Sequence, residues 1–411
     1  MPILPEEAHK IRIPQMHDVR QLFPDDKLED IEKTVWEKIT SSEIKAKVKP
    51  GSRAAVLVGS RGIASLKEIV KATVDALKAI GAVPFIVPSM GSHGGGIAEE
   101  QRKIIEKYGV TEEYTGVKII SSMQTNIIAK TIGGIPVHID KVADEADIII
   151  PVARIKAHTD FEGPIESGFC KMIVIGLGNH SGCSRLHQEG ASSFDKLIPE
   201  VADIVLQKKN IPFGVGIIEN AFEHVHSIHV VPGEKFISEE PGLLVLSKSL
   251  MPKLQFDEID VLVIELIGKN ISGAGIDPNV TGRSVLRKME NFKGPTVKRI
   301  VALDLSAASH GNATGIGVPD FILQQLFEKM NPEVTYANCI AAGAPEAAKV
   351  PPMLENEEDA IRAAIQTAHR TDTNAPKIVK IRSSLHLIDI KVSDALLDYC
   401  RQRPDKFQVV G

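Results

Sequence analysis

The sequence predicts an α/β protein with mostly parallel sheets. Apolar, β-branched runs of strand length alternate with amphipathic stretches of helix length, which is typical of parallel strands covered by helices on both faces. The 411 residues are enough for two or three domains with independent cores. A new buried strand, DEIDVLVIELIG, begins shortly after residue 251, so we predict one α/β domain over residues 1–250 and a second over 251–411.

The period of the apolar residues places the elements along the chain. In the first domain we predict strands at 54–58, 83–87, 117–121, 135–139, 147–152, 214–218 and 243–246, and helices at 66–80 and 194–207. In the second domain we predict strands at 261–266 and 299–303, and helices at 360–368 and 393–401. The segment EHVHSIHVV, with His224, His226 and His229, is interpreted as a partly exposed strand. A zinc pair formed by His224 and His226 on one face of that strand is the alternative.

Composition narrows the classes of partner. The formal net charge is −5, and acids and bases are mixed along the chain, so no electrostatic footprint for nucleic acid or an anionic membrane is present. The amino terminus lacks the pattern of a secretion signal, and no apolar run reaches the roughly 20 residues that cross a bilayer. Four scattered cysteines fit neither a zinc finger nor a disulfide framework. We therefore predict a cytoplasmic protein that binds a small molecule.

The segment from residue 154 to 190 carries the densest group of reactive side chains. His158, Lys171, His180 and His187 lie there among many glycines, after the predicted strand at 147–152. Glycine adds nothing to packing, and its usual role is to let the backbone bend or approach a neighbour closely. We interpret the segment as a glycine-rich turn that holds a ligand.

Other polar groups follow the carboxyl ends of predicted strands, where open α/β sheets bind ligands. They are Ser60 and Arg61 after 54–58, His93 and Gly94–Gly96 after 83–87, Arg154, Lys156 and His158 after 147–152, and Lys269 and Asn270 after 261–266. These groups predict one site in a cleft between the two domains.

Each of these groups has an ordinary structural alternative. Arg61 can hold a carboxylate or phosphate, or it can be a solvated side chain in a turn. The glycines after His93 can offer backbone N–H groups to an anion, or they can simply begin a helix. Lys171 can be a desolvated amine for covalent chemistry, or a surface lysine with an apolar stem. His310, in SAASHGNATGIG, is interpreted as stabilising its loop.

Taken together, these residues resemble the nickel-dependent lactate racemase family. The likeness rests on Ser60-Arg61, on GSHGG around His93, on His158 followed by Lys171, and on His187 sixteen positions after that lysine. Members of the family use a nickel-pincer nucleotide, nickel pyridinium-3,5-bisthiocarboxylic acid mononucleotide. The likeness is clearest over residues 50–190.

The resemblance implies a role for each matching residue. Lys171 would tether the nucleotide through a thioamide, and His187 would ligate nickel, with His180 as the alternative ligand. His93 and His158 would be the acid/base pair that handles the substrate hydroxyl proton while the cofactor accepts and returns hydride. The other positions that the resemblance implies are cofactor-binding Ser60, Gly94 and Gly95, and substrate-binding Arg61, Lys269, Asn270 and Arg283.

The chain also departs from the lactate enzymes. Val58 stands where they carry an aspartate, the segment EGPIES lengthens the span between His158 and Lys171, and the tyrosine-glutamine-lysine group of their second domain is not recognisable. The polar groups available instead are Lys269, Asn270, Asn279 and Arg283. We therefore predict a racemase or epimerase for a hydroxy acid other than lactate.

Two alternatives to this function stay open. One is a metal-dependent hydrolase or lyase whose histidines bind the metal directly, which a position of EHVHSIH near His93 would favour. The other is a non-catalytic carrier of the nucleotide. The resemblance also implies cofactor-biosynthesis proteins as partners, and the sequence is compatible with a homo-oligomer.

Overall fold

The computed structural model describes residues 4–60 and 62–410. Its strands are β1 (Met16–Gln21), β2 (Arg53–Val58), β3 (Val83–Pro88), β4 (Thr125–Lys130), β5 (Pro136–Asp140), β6 (Ile148–Arg154), β7 (Phe213–Glu219), β8 (Val225–Pro232), β9 (Glu258–Ile267), β10 (Thr296–Leu305), β11 (Phe321–Leu323), β12 (Met353–Leu354), β13 (Ile378–Ile381), β14 (Asp389–Ser393) and β15 (Phe407–Val409).

Its α-helices are α1 (Glu6–His9), α2 (Ile31–Ile39), α3 (Ser42–Lys45), α4 (Leu66–Ala79), α5 (Ala98–Lys107), α6 (Glu112–Thr115), α7 (Lys141–Asp144), α8 (Phe169–Lys171), α9 (Asn179–His187), α10 (Phe194–Lys208), α11 (Phe236–Leu250), α12 (Pro278–Thr281), α13 (Gln324–Glu328), α14 (Pro332–Ala341), α15 (Glu357–Thr367) and α16 (Asp394–Arg401). A π-helical segment, Met172–Gly176, continues α8. Within the described residues, no helix combines the length and the apolar character needed to cross a membrane.

The chain divides into two compact units. Pro24–Met251 form one, and the described residues before Pro24 join those after Met251 in the other. The N-terminal residues belong with the C-terminal ones because β1 pairs antiparallel with β14 and with β15. Our sequence prediction assigned these first residues to the first domain, since the pattern of a short strand does not specify which sheet it joins.

The unit Pro24–Met251 contains a five-stranded sheet in the order β3-β2-β6-β7-β8. The first four strands are parallel, and β8 runs antiparallel to β7. Alternate residues of β2 lie in different hydrophobic cores, with Ala55 and Leu57 in one and Ala54, Val56 and Val58 in the other. The two faces are therefore both buried, as expected of parallel strands. A separate hairpin pairs β4 with β5.

The other unit contains an eight-stranded sheet in the order β12-β11-β10-β9-β13-β14-β1-β15. Pairing is parallel from β12 to β13, and the pairs β13-β14, β14-β1 and β1-β15 are antiparallel. Most of the pairing in the two sheets is parallel, which confirms the predicted α/β class.

Three local predictions were wrong. Residues 117–121 form no strand, and only Ile119 makes an isolated bridge, to Ile86. The predicted strand at 243–246 lies inside α11, because a short apolar run such as LLVL has no period that distinguishes a strand from a buried helix. The third concerns the segment after Lys171, interpreted above as a turn, which is helical over most of its length.

Candidate functional site

The order of the strands brings three predicted site residues to one edge of the sheet. Ser60 follows β2, His93 follows β3 and His158 follows β6, and these three parallel strands are neighbours in the sheet. Adjacent strands lie roughly 4.8 Å apart, so the loops after their carboxyl ends are close together. Ser60 Oγ is hydrogen-bonded to His93 Nδ1, which joins the first two loops directly.

The loop after β3 is held in a single shape. Gly91, Gly94, Gly95 and Gly96 all have positive φ, between 62° and 67°, a conformation that side-chain-bearing residues rarely adopt. Gln101, which is fully buried, donates from Nε2 to the carbonyls of Gly91 (2.9 Å) and His93 (3.0 Å). The position of His93 is therefore fixed by backbone geometry and by one buried amide.

The segment with the most glycines forms two helices that fold back on each other. The first comprises α8 and its π-helical continuation, and the second is α9, which packs against Met172–Gly176. The chain reverses at Asn179, a buried residue with a φ of 50°. Its Nδ2 donates to Asp140 Oδ2 (2.6 Å) and to the Ser122 carbonyl (3.0 Å).

Glycines permit this close packing. A Cβ on Gly176 would lie 2.7 Å from Ser89 Oγ and 2.8 Å from the Ser89 carbonyl oxygen. A Cβ on Gly91 would lie 3.1 Å both from Cys183 Sγ and from the Ile175 carbonyl oxygen. The loop that carries His93 is therefore packed against both helices.

His187 lies at the end of α9 with one ring nitrogen already assigned. Its Nδ1 is 2.7 Å from the carbonyl oxygen of Cys183, which can only accept a hydrogen bond. Nδ1 therefore carries the proton, and in the neutral ring Nε2 keeps a lone pair. Its ring meets Phe194 edge to face with centroids 5.1 Å apart. This is the tautomer that a metal-ligating Nε2 requires.

Cys183 and His187 shift each other's ionisation. The buried Cys183 Sγ lies 3.5 Å from His187 Nδ1. Burial acts to raise the pKa of Cys183, but the hydrogen bond and charge of His187 together with hydrogen bonds from Ser92 outweigh it, and the pKa is lowered. Burial likewise acts to lower the pKa of His187, but the contact with Cys183 raises it overall, while the positive charge of Lys171 opposes that rise. Lys171 and His187 therefore act on each other electrostatically, although sixteen residues separate them.

His158 is linked to the same region through aromatic rings. Its ring lies 4.4 Å, centroid to centroid, from the ring of Phe161, which in turn meets Phe194 edge to face at 5.4 Å. Phe194 is the residue that contacts His187. Two buried phenylalanines thus connect the histidine after β6 with the histidine at the end of α9.

A buried carboxyl group lies beneath the start of the lysine-bearing helix. Glu240 of α11 is 1 % exposed, and its Oε2 accepts from the backbone N–H of Cys170 (3.0 Å). Burial raises the pKa of Glu240 to about 7. A Cβ on Gly168 would lie 2.3 Å from Glu240 Oε1, so glycine is needed there for the carboxyl group to fit.

The other predicted site residues belong to the other unit or are not among the described residues. Arg61 is not among the residues that the structure describes. Lys269 and Asn270 follow β9, in the other unit, where Lys269 is half-buried and Asn270 is exposed. Arg283, in the same unit as Lys269, pairs with Asp320 and donates to the carbonyls of Val297 (3.3 Å) and Lys298 (3.2 Å). The predicted cleft between the domains stays a prediction.

The histidines of β8 occupy the far edge of the sheet from β3, which precedes His93. His224 Nδ1 pairs with Asp25 (2.7 Å), and His226 Nδ1 and His229 Nε2 both contact Ser227 Oγ, at 3.2 and 2.9 Å. The described residues contain no group of three or more His, Cys, Asp or Glu side chains placed to hold a metal ion.

Sequence reasoning missed several supporting residues. Cys183 stands four positions before His187, and that spacing on a helix is a signal that could have identified the contact. The two phenylalanines, Gln101 and Glu240 carry no comparable signal, because their contacts join segments far apart in the chain.

Known proteins that resemble this chain include one family and two solved structures. Residues 6–195 match the lactate racemase N-terminal domain family. A protein from Thermotoga maritima is 12 % identical over 89 % of this chain and 99 % of its own, with a TM-score of 0.56. The lactate racemase apoprotein from Thermoanaerobacterium thermosaccharolyticum is 12 % identical over 91 % of this chain and 99 % of its own, with a TM-score of 0.53. No curated protein matches the sequence. At this identity the two structures show a shared fold.

Proposed function

Because the chain belongs to the lactate racemase family, we propose that it is a racemase or epimerase that inverts the hydroxyl-bearing carbon of a 2-hydroxy acid. In this proposal Lys171 tethers a nickel-pincer nucleotide and His187 ligates its nickel. The substrate is a hydroxy acid other than lactate, as the sequence departures from the lactate enzymes favour.

The observation that carries the proposal is the pairing of Lys171 with a His187 of fixed tautomer. The two side chains lie on helices that fold back on each other, and the ammonium charge acts on the imidazole. The backbone carbonyl of Cys183 occupies Nδ1, so Nε2 is the nitrogen with a lone pair for a metal. One protein imidazole and one amine fit a cofactor that brings its other metal ligands with it.

The remaining residues have roles in handling protons. When bound, the cofactor supplies a reversible acceptor for the hydride of the substrate carbon, which no amino-acid side chain can provide. Of the pair at the substrate hydroxyl oxygen, His93 takes the proton and gives it back when the hydride returns, and His158 donates a hydrogen bond to that oxygen. The amide N–H of Asp160 donates to His158 Nδ1 (3.0 Å), so in the neutral ring Nε2 carries the proton and is the atom that can donate to the substrate oxygen.

Further residues and partners complete the proposal. Ser60, Gly94 and Gly95 contact the cofactor, and the substrate carboxylate and its polar groups are bound by Arg61, Lys269, Asn270 and Arg283. Cofactor-biosynthesis proteins act upstream of this chain. We place the protein in the cytoplasm, a proposal supported by its free, buried cysteines Cys170, Cys183, Cys339 and Cys400.

The test is the mass of the protein produced together with the cofactor-biosynthesis proteins. Wild-type protein should carry a covalent adduct that peptide mapping assigns to Lys171. Lys171→Arg keeps the positive charge but cannot form a thioamide, so it should carry none, whereas Lys156→Arg, a change at another half-buried lysine, should leave the adduct in place. An unmodified wild-type Lys171 under these conditions would refute the proposal.

A second measurement separates an enzyme from a carrier. The double variant His93→Ala with His158→Ala should keep the adduct on Lys171. It should no longer racemise any of a panel of 2-hydroxy acids, which is measured by chiral separation of the products. Substrate labelled with deuterium at the hydroxyl-bearing carbon should keep its label in the inverted product, because hydride is returned without exchange with water. A wild-type protein that carries the adduct but converts none of the acids in the panel would favour a non-catalytic carrier of the nucleotide.

A further inference from the structure

Glu166 is a buried carboxylate in the segment between His158 and Lys171. Its side chain is 1 % exposed, and it contacts two backbone N–H groups and one lysine. Oε2 accepts from the backbone N–H of His158 (2.5 Å), and Oε1 accepts from the backbone N–H of Gly163 (3.3 Å). Oε1 also pairs with Lys248 Nζ (2.6 Å), whose charge offsets the burial of the carboxylate.

These contacts define the shape of the loop that carries His158. Two backbone hydrogen bonds between Lys156 and Ser167, of 3.0 and 3.1 Å, close the loop at its base. Inside it, Glu166 holds the N–H groups of His158 and Gly163, which lie five positions apart. A single carboxylate therefore fixes both ends of the stretch 158–163.

The fixed loop has a chemical consequence for the ring of His158. The backbone N–H of Asp160, in the middle of the stretch, donates to His158 Nδ1 (3.0 Å). Since an N–H can only donate, Nδ1 accepts, and the proton of the neutral ring is placed on Nε2. Phe161 packs against the same ring and restrains its rotation. The tautomer of His158 thus depends on where the loop backbone lies.

We propose that Glu166 is a positioning residue for His158, which acts by holding the loop 158–163 so that the Asp160 amide selects the Nε2–H tautomer. The inference rests on the proposed role of His158 as a hydrogen-bond donor to the substrate hydroxyl oxygen. Hydrogen-bond partners of this kind fix the orientation and tautomer of functional histidines elsewhere.

The chemistry of the carboxylate explains the choice of Glu over Gln at this position. Two oxygens can accept from both N–H groups and from the lysine at the same time. An amide offers one acceptor and one donor, so Glu166→Gln can keep the bond to His158 but not the other two. Replacing only Lys248 would leave a buried carboxylate without its cation, so the apolar test variant changes both partners.

The experiment measures the His158 tautomer in the protein without cofactor. Ring nitrogen chemical shifts of ¹⁵N-histidine-labelled protein distinguish a protonated Nε2 from a protonated Nδ1, and a His158→Gln sample assigns the signal. Spectra are recorded at about pH 8, where an ordinary imidazole is neutral. We expect wild-type His158 to carry its proton on Nε2.

The test variant is Glu166→Met with Lys248→Met, which replaces the ion pair by apolar side chains and leaves no unpaired buried charge. Its His158 signal should move to a mixture of the two tautomers. The separate variant Glu166→Gln, which keeps the bond from the His158 N–H, should give the wild-type signal. The matched control is Glu234→Gln, which breaks the Lys47–Glu234 ion pair away from this loop and should change nothing. The Cys183-bonded ring of His187 is an internal reference with its proton on Nδ1.

The outcomes separate this inference from the proposed function. A folded Met/Met variant with the wild-type His158 tautomer would overturn the inference, and so would a wild-type ring protonated on Nδ1. In cofactor-loaded protein we expect kcat of the Met/Met variant to fall about tenfold or more, with KM nearly unchanged and with recovery in Glu166→Gln. Absence of the Lys171 adduct in the wild type would instead refute the proposed function and leave the tautomer result intact.

Discussion

Two segments of the unit Pro24–Met251 are rich in histidine, and the structure treats them differently. The helical pair that ends at His187 folds back on itself, so that an amine, a thiol and an imidazole act on one another. The strand β8 displays His226 and His229 around the hydroxyl group of Ser227, and His224 just before it bonds to Asp25. The first arrangement places an amine and a thiol beside a ring of fixed tautomer, while the second places three rings beside one serine and one aspartate.

The difference teaches that the number of histidines in a segment is a poor guide to a metal site. At His187 a backbone carbonyl fixes the tautomer, because a carbonyl oxygen can accept a hydrogen bond but cannot donate one. At β8 the partners are hydroxyl and carboxylate groups, which serve equally well in an ordinary edge strand. The amine and the thiol beside His187, more than the density of rings, distinguish the two segments.

The largest effect expected from this comparison is on nickel retention. In cofactor-loaded protein, His187→Ala removes a direct ligand and should lower the affinity for nickel by roughly two orders of magnitude. Elemental analysis after dialysis should show the loss of bound nickel. The adduct on Lys171 should persist by intact mass. His229→Ala, the matched change on β8, should leave nickel unchanged. Equal nickel loss in the two variants would abolish the distinction drawn between the segments.

The next effect concerns the pH dependence of stability. The pKa of Glu240 is raised to about 7 by burial, so the folded state binds this proton more tightly than the unfolded chain, whose glutamate titrates near 4.5. Stability is therefore lost as pH rises from about 4.5 to about 7, by roughly 3 kcal/mol for a shift of this size. Glu240→Gln should remove that loss and make the protein more stable than the wild type at pH 8.

Chemical denaturation at pH 5 and pH 8 measures this effect. The matched control on the β8 side is Asp25→Asn, because Asp25 is exposed and the hydrogen bond from His224 lowers its pKa. That change should not reproduce the gain at pH 8. A Glu240→Gln variant with the same stability difference between the two pH values as the wild type would show that Glu240 does not titrate in this range.

The smallest expected effect is the change in stability when a glycine of the helical pair is replaced by alanine. Gly176→Ala should destabilise the protein by about 1–3 kcal/mol, because its Cβ would overlap the Ser89 side chain and carbonyl. Gly242→Ala, in the middle of α11 with open space around the new Cβ, should instead stabilise by about 0.5–1 kcal/mol. Thermal unfolding of the two variants gives the comparison, and a tolerated Gly176→Ala would mean that the helices are not packed this closely.

The sequence predicts the strands of the five-stranded sheet, β9 and β10 of the other sheet, and the helices α4, α10, α15 and α16, because the apolar residues of these elements recur at the period of a buried face. It fails where burial gives no period, as in the apolar run of α11, and where pairing is decided far away, as for β1. The polar residues after β2, β3 and β6 could be found because parallel strands end at one edge. Glu166 and Glu240 could not, because their importance comes from contacts with backbone N–H groups that only the folded chain brings near.

Because the chain reverses at Asn179, the number of residues between Lys171 and His187 determines whether their side chains can reach the same ligand. A straight α-helix would separate positions 171 and 187 by roughly 24 Å, too far for one small molecule to touch both side chains. One inserted residue in α9 would turn His187 by about 100° around the helix axis. The distance between Lys171 and His187 therefore depends on the bend at Asn179 and on the exact number of residues on each side of it. Grafting this site onto another protein would require the whole segment 171–187, including the bend.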